Sequence, residues 1–380
     1  MVRVPGTGTR NWYDMEKIVE HLKKIDWVLI LVAVSLVCFG LISIYSASFF
    51  RDDFLNFKKQ ALFLVIGLLL MFATSFFDWR VLRDNPYLVL AFYFFTLISL
   101  ALLFVFAPTI RAVKGWYRIG PFTIDPIEIV KISLIILLAK YFSGRHVEMY
   151  NIRHILISGL YVFAPFVLIF LQPNLGSAVI LFLLWLGILI ASGIEVKHFL
   201  LISLMVIILF AFSWQGLLEP YQRQRIVAFL IPNFEPLGIG WSQSQSKIAI
   251  GSGGLFGKGF RQGSQVQLGF LTLPQTDFIF SAIAEEFGLL GVVILFFLVL
   301  IFLSRIMRIF FESRTNFPRL FSLGFALLFI TQIFVHSGMN LGLLPVIGIP
   351  FPFVSYGGSG LISGFVALGI LQSLRIHRER

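Results

Sequence analysis

The chain has 380 residues, of which 58% are hydrophobic and only 13% are charged, and its mean hydropathy is +0.91. Soluble domains carry nearer about 25% charged residues, so this chain has too little polar surface to coat a soluble globule of its size. The net charge of +11 lies mainly in short connections between apolar runs. That pattern is typical of membrane orientation and of attraction to anionic lipid, and it argues against nucleic-acid binding.

Ten apolar stretches are long enough to cross a membrane, which predicts a polytopic all-α bundle of about ten transmembrane helices. The first is expected to be an uncleaved span, because residues 1–25 are polar and no small-residue cleavage signal follows the run. The membrane domain then covers 27–374, between a tail at 1–26 and a short C-terminus at 375–380. The predicted spans are 27–48, 58–77, 87–107, 126–143, 155–171, 176–192, 198–214, 277–304, 319–337 and 357–374.

The distribution of positive charge predicts the orientation. With the N-terminus inside, 18 Lys and Arg residues fall in inside segments and 6 in short outside loops, so both termini are expected to be cytoplasmic. The long connection at 215–276, between the seventh and eighth spans, is then extracytoplasmic. Since it is rich in Gly and apolar residues, we expect it to pack on the membrane face. The turn at 172–175 either joins two tilted helices or lies below the membrane surface, covered by protein.

Two side chains are interpreted as structural. Cys38 is the only cysteine, so no disulfide and no cysteine-based metal site is expected, and its place in an apolar run predicts a buried thiol. His336 is the only histidine deep within a predicted span, and we expect it to be satisfied inside the bundle.

Charged residues within spans mark candidate functional positions. Glu128 and Lys131 lie three residues apart on one face of the fourth span and can pair. The pair either lines an internal cavity or fixes helix packing.

Asp277 begins the eighth span at its outer end, and Glu285 and Glu286 follow two turns deeper. Carboxylates inside hydrocarbon are costly unless partnered or hydrated, so the three acids suggest a polar funnel that descends from the outer surface. The alternative for Asp277 is a simple helix cap.

Two glycine-rich segments lie on the predicted outer side. Residues 252–259 resemble a P-loop only superficially, because the required Gly and Ser or Thr are missing at the two ends. Beside Lys258 and Arg261 this backbone either cradles an anionic phosphate or forms a tight turn. Residues 340–360 carry several prolines and glycines in an apolar context, which predicts non-helical backbone lining a cavity.

Several long motifs in order identify a family resemblance. They are Tyr221 to Arg225, Gln245 to Gly259, Thr276 to Gly288 and Pro345 to Ser359. On these the whole chain from the first span to the last resembles the SEDS family (shape, elongation, division and sporulation), most closely its RodA branch.

The resemblance implies a peptidoglycan glycosyltransferase that polymerises lipid II, an undecaprenyl-diphosphate-linked disaccharide-pentapeptide, on the outer face of the plasma membrane during cell elongation. It implies a class B penicillin-binding protein and other elongation-complex membrane proteins as partners. Asp277 falls on the family's essential acid, and Glu128 and Lys131 fall on its fourth-span motif. The chain departs from the usual pattern at Thr272 and Leu273, at Gly115 before Trp116, and at Asp125, where the family has Pro, Glu, Arg and Gln.

The implied reaction assigns candidate roles. Asp277 takes the proton of the attacking sugar hydroxyl as general base, and cations stabilise the diphosphate leaving group. A divalent cation, Mg²⁺ or Mn²⁺, is a candidate to act together with them. The substrate-binding candidates are Glu128, Lys131, Trp116, Arg223, Lys258, Arg261 and Ser355, with Glu285 and Glu286 as supporting residues.

Two other functions compete with polymerisation. Intramembrane Glu128, Lys131, Glu285 and Glu286 would also suit a lipid II flippase with an alternating-access cavity. A scaffold for the crosslinking partner is the third alternative, but it does not require charges within the bundle.

Overall fold

The fold is a bundle of long helices whose connections at one end carry most of the remaining secondary structure. We describe it from a computed structural model, which covers Glu16 and residues 19–49, 52–108, 115–144, 152–216, 218–231 and 239–378. The elements are α1 (Trp27–Ser48), α2 (Leu55–Ser75), α3 (Arg80–Asp84), α4 (Pro86–Phe106), β1 (Tyr117–Ile119), β2 (Phe122–Ile124), α5 (Pro126–Ser143), α6 (Ile152–Leu171), α7 (Leu175–Ala191), α8 (Val196–Gly216), α9 (Pro220–Leu230), α10 (Ile239–Ser252), α11 (Ser264–Gln267), α12 (Ile279–Glu312), α13 (Asn316–Leu341) and α14 (Gly358–Ile376).

Ten of the described helices lie at the ten predicted spans. By length and hydropathy, α1, α2, α4, α6, α8, α12, α13 and α14 can each cross a membrane. The other two are α7, which is apolar but has 17 residues, and α5, which contains Glu128, Lys131 and Lys140. Their bounds differ from the predicted ones by at most eight residues, so the predicted polytopic all-α membrane fold is confirmed.

Short polar residues fix the starts of several helices. Asn85 and Asp125 accept hydrogen bonds from the backbone N–H groups of Leu88 and Ile127, at 3.2 and 2.9 Å. Each is followed by a proline at the first helical position, whose fixed φ suits a helix start and whose missing N–H is not needed there. The membrane entry points of α4 and α5 are therefore set locally by sequence.

The helices differ greatly in the fraction of their residues that is buried within the bundle. α13 runs through the interior and α14 packs closely on α2, where a Cβ added at Gly369 would lie 2.5 Å from the carbonyl oxygen of Met71. In α8, by contrast, His198 is the one buried residue. Cys38 lies on the exposed face of α1, so the prediction of a buried thiol was wrong. A run that is apolar on all sides does not reveal which face meets lipid.

We expected the connection between α8 and α12 to pack on the membrane face. The structure instead places part of it between the helices of the bundle. α10 packs against α12 and α13, and the glycine-rich turn after α10 reaches a break in α12 at Gly288, where φ is +65°. The turn's backbone bonds the broken helix, with Lys258 N–H donating to the carbonyl of Glu285 at 2.9 Å and Leu289 N–H to that of Gly254 at 2.9 Å. Non-helical backbone at membrane depth is thereby satisfied by protein.

Candidate functional site

The site is a cavity of about 580 Å³ at the end of the bundle where α5, α7 and α14 begin and where α9 lies. The connections 115–125, 172–174, 273–278 and 342–357 meet there. Its polar lining includes Trp116, Thr123, Asp125, Glu128, Asn174, Ser177, Tyr221, Gln222, Arg225, Thr276, Asp277, Gln332, Ser355, Tyr356 and Ser359. The cavity therefore combines acids, a guanidinium group and hydroxyls beside apolar walls.

Asp277 lines this cavity from the turn that precedes α12, and its side chain is half-buried. The carboxylate faces Gly348, where an added Cβ would lie 3.7 Å from Asp277 Oδ2. Gly348 has a φ of +73°, a conformation that glycine adopts without strain. The open position of Gly348 leaves room beside the acid.

Hydrogen bonds from the last connection hold the backbone around Asp277. Ser355 Oγ donates to the carbonyl of Thr276 at 2.7 Å, and Tyr356 N–H donates to that of Gln275 at 2.8 Å. Ser355 also accepts from the N–H of Phe351 at 2.9 Å. Ser355 lines the cavity as predicted, but these contacts make it a support for the Asp277 turn.

Asn340 completes the support from α13. Its Nδ2 donates to the carbonyls of Asp277 at 2.9 Å and His336 at 2.8 Å, and its Oδ1 accepts from Ser281 Oγ at 2.6 Å. Asn340 is fully buried, so each of these bonds would be costly to lose. His336 itself packs within the bundle, with Nδ1 2.7 Å from the carbonyl oxygen of Ile349.

The predicted pair of Glu128 and Lys131 is present, with Nζ 2.7 Å from Oε1. Glu128 lines the cavity, whereas Lys131 lies behind it with its side chain 4% exposed. The two alternatives for this pair therefore both hold in part. Lys131 pairs with Glu128 from behind the wall, and Glu128 presents its carboxylate to the cavity.

Asp125 is a cavity acid that sequence reasoning noted only as a departure from a family pattern. It caps α5, and its backbone N–H donates to Ser359 Oγ at 2.8 Å. Burial, and then the nearby charge of Glu128, raise the pKa of the Asp125 carboxyl above its ordinary value. Two carboxyl groups three residues apart thus share one wall of the site.

The cation from α9 in the cavity is Arg225, not the predicted Arg223. Tyr221 and Arg225 are four residues apart and share a helix face, with the guanidinium carbon 5.5 Å from the ring centroid. Arg223 is absent from the cavity lining. Helical periodicity applied to this motif would have separated the two arginines.

Four further candidates lie away from the cavity. Lys258 is paired with fully buried Glu285 at 2.8 Å, and Glu285 also accepts from the N–H groups of Gln265 and Val266. The guanidinium carbon of Arg261 lies 3.2 Å from the centroid of the Phe49 ring. These groups do not continue the site inward from Asp277.

Glu286 is likewise used internally, accepting from Ser46 Oγ at 2.5 Å and from Gln267 Nε2 at 3.2 Å. The expected polar funnel from Asp277 to Glu285 and Glu286 is therefore wrong. The supporting role of the two glutamates is to anchor the long connection. Of the two interpretations of the glycine-rich run, the structure favours the tight turn, since a Cβ at Gly257 would lie 2.1 Å from the carbonyl oxygen of Glu286.

The remaining candidates concern substrate contact and metal. Trp116 lines the cavity, and its contact with substrate stays a prediction. Among the residues that the structure describes, no group of three or more His, Cys, Asp or Glu side chains is arranged to hold a metal ion. The divalent cation, Mg²⁺ or Mn²⁺, stays a prediction.

Fold and site together define a multi-pass helical membrane protein with an acid-lined cavity at one end. The family model described as cell cycle protein, covering FtsW, RodA and SpoVE, matches residues 26–380. The chain belongs to this family, and the resemblance to SEDS proteins is confirmed.

Relatives match over nearly their full length. Peptidoglycan glycosyltransferase MrdB of Escherichia coli K12 is 35% identical over 93% of this chain and 94% of its own. Stage V sporulation protein E of Bacillus subtilis 168 is 33% identical over 92% and 96%.

Solved structures match equally broadly. Thermus thermophilus RodA, a rod-shape-determining protein, superposes with a TM-score of 0.70 at 29% identity, over 94% of this chain and 98% of that one. A chain from a peptidoglycan synthase complex, described in terms of coordinated polymerization and crosslinking, gives 0.80 at 30% identity over 94% and 99%.

Proposed function

We propose that this protein is a peptidoglycan glycosyltransferase that polymerises lipid II into glycan strands, with the chemistry in the cavity that Asp277 lines. The observation that carries the proposal is the presence of Asp277, Glu128 and Arg225 in one cavity of about 580 Å³. A carboxylate and a cation in one partly apolar space suit a substrate that combines a sugar hydroxyl, a diphosphate and a lipid tail. The relatives named as peptidoglycan glycosyltransferases support the same reaction.

Each cavity residue has a defined task in this reaction. A sugar hydroxyl of one lipid II attacks the anomeric carbon of another chain's terminal sugar, Asp277 takes the hydroxyl proton, and undecaprenyl diphosphate leaves. Arg225 lies in the same space and stabilises the charge that develops on the diphosphate. The ring of Trp116 packs on the disaccharide, and Glu128 accepts hydrogen bonds from its hydroxyls. Mg²⁺ or Mn²⁺ bound through the diphosphate would add to the positive charge.

The cavity end of the bundle faces the outside of the plasma membrane, and both termini are cytoplasmic. Support for this orientation is the excess of Lys and Arg at the opposite end. A class B penicillin-binding protein crosslinks the new strand, in line with the complex described for polymerization and crosslinking. The RodA relationship supports a role in cell elongation and shape.

The test is polymer formation from purified lipid II by the purified full chain in detergent. Wild type should form glycan polymer, and Asp277→Ala should lower the rate by a factor on the order of 10²–10⁴ while the protein elutes and melts as wild type does. No polymer from folded wild type, with or without the crosslinking partner and Mg²⁺ or Mn²⁺, would reject the proposed activity.

A further inference from the structure

A second pocket lies at the other end of the bundle from Asp277. It has a volume of about 320 Å³ and is formed by the segment before α1 and by the ends of α12 and α14. Because α12 starts beside Asp277 and continues to Glu312 after its break at Gly288, its last residues lie roughly 35 Å beyond that break along the helix. The pocket is lined by Lys23, Lys24, Ile309, Glu312, Ser313, Leu374, Arg375 and Arg378.

The charges around this pocket do not balance. Its lining contains four cations and one acid, Glu312, and that acid is already shared by Arg308 at 2.7 Å and Arg378 at 3.2 Å. Lys24 is paired with Glu20 at 2.6 Å. Within the part of the chain that the structure describes, Lys23 forms no ion pair, so the pocket keeps a surplus of positive charge.

A cluster of ion pairs around Asp26 lies beside the pocket and shares Arg375 with its lining. Asp26 is 2% exposed and pairs with Arg305 at 2.6 Å and with Arg375. The side-chain amide of Gln372 accepts a hydrogen bond from the N–H of Asp26 at 2.8 Å and donates one to the carbonyl of Asp26 at 3.2 Å. These bonds join the start of α1 to the ends of α12 and α14 beside the cations of the pocket.

The surroundings of the pocket resemble the headgroup level of a bilayer. Trp27 and Phe311, the neighbours of Asp26 and Glu312 in the chain, are both exposed. Exposed aromatic side chains at the ends of membrane helices lie at the lipid–water boundary. Ile309 and Leu374 add apolar surface to the lining.

We propose that this pocket binds the headgroup of an anionic phospholipid, with Lys23 and Arg378 contacting its phosphodiester oxygens and the acyl chains lying along the exposed faces of α1 and α12. Basic pockets between membrane helices are suited to such headgroups. The cationic surplus selects anionic over zwitterionic lipid, and the membrane boundary favours lipid over a soluble partner. The site is separate from the polymerisation cavity and does not depend on the function proposed for it.

The test measures lipid retained by the purified full chain, by native mass spectrometry with added cardiolipin, phosphatidylglycerol or phosphatidylcholine. Wild type should retain the two anionic lipids and gain thermal stability from them, but not from phosphatidylcholine. The double variant Lys23→Ala, Arg378→Ala should bind anionic lipid on the order of 30-fold more weakly, at about one factor of five for each cation. Both side chains are exposed, and the Asp26 cluster is left intact.

The matched control is Arg153→Ala, Lys197→Ala, which removes the same charge from exposed positions at the starts of α6 and α8. This control should retain lipid as wild type does. An equal loss of anionic-lipid binding in both double variants would indicate general charge attraction and overturn the proposal. So would equal stabilisation by inorganic phosphate alone, or anionic-lipid binding that persists in the pocket variant. Polymerisation by the pocket variant is a separate readout and does not decide the question.

Discussion

Two carboxylates near the start of α12, those of Asp277 and Glu285, have opposite surroundings. Asp277 lies half-buried at a cavity, where Asn340 donates to its backbone carbonyl and Ser355 to that of Thr276. Glu285, eight residues later, is fully buried and accepts hydrogen bonds from Lys258 and from backbone N–H groups. The carboxylate of Glu285 is enclosed by its partners away from the cavity, whereas Asp277 lies in the cavity lining. Of these two acids, Asp277 is therefore the one that borders a substrate-sized space.

The same contrast separates the cations. Arg225 lines the cavity, whereas Lys258 is committed to Glu285 and Arg261 to the ring of Phe49. A positive charge already neutralised by a buried partner offers little to an incoming diphosphate. Proximity in sequence to a glycine-rich turn was therefore a poor guide to the anion site.

Apart from changes at Asp277 itself, the largest effect should come from removing the cavity cation. We expect Arg225→Ala to lower the polymerisation rate by about 10²-fold, because a charge aimed at the developing diphosphate is lost. Arg223→Ala, on the same helix but off the cavity lining, is the matched control and should stay within about threefold of wild type. Initial rates on lipid II at equal folded protein decide the comparison. Equal losses in both variants would contradict the assignment of Arg225.

A smaller effect, on stability rather than rate, should follow from Glu285→Gln. The amide keeps an acceptor oxygen but leaves Lys258 without its anionic partner and weakens the bonds from Gln265 and Val266. We expect the melting temperature in detergent to fall by several degrees while the rate per folded molecule is unchanged. A rate loss of about a hundredfold or more without a change in melting temperature would move Glu285 into the reaction.

The smallest effect should be a change in pH dependence from Asp125→Asn. Since burial and Glu128 raise the folded-state pKa of Asp125, the folded protein holds this proton more tightly than the unfolded chain. Stability from this group is therefore present below the unfolded pKa and is lost as pH rises to the folded pKa. Asn caps a helix as well as Asp does, so the variant keeps the start of α5.

Melting temperatures across pH 4 to 8 test this prediction. The wild-type value should fall relative to Asp125→Asn as pH rises through this range. A constant difference between the two proteins over the whole range would show that the pKa of Asp125 is the same in the folded and unfolded states. Glu128→Gln in the same series sharpens the result, because removing the neighbouring charge should shrink the pH-dependent part.

The membrane spans were predictable because each depends on about twenty consecutive apolar residues, and Pro86 and Pro126 mark helix starts directly. The break at Gly288 and the insertion of the glycine-rich turn could not be predicted, because both depend on backbone contacts between segments distant in sequence. Asp277 and Glu128 could be identified from charge within apolar runs. The use of Glu285 as an anchor and of Asn340 as a backbone support could not, because a sequence does not reveal which partners a buried polar group finds.

The central claim is that Asp277 acts on bound substrate as a proton acceptor. It is tested most directly by measuring lipid II binding and polymer formation on the same sample of Asp277→Asn. The amide has the size of the acid but cannot take a proton, so we predict binding within about threefold of wild type and a polymerisation rate lower by a factor on the order of 10²–10⁴. Wild-type turnover by Asp277→Asn would contradict the account, because it would reduce Asp277 to a structural residue of the turn before α12.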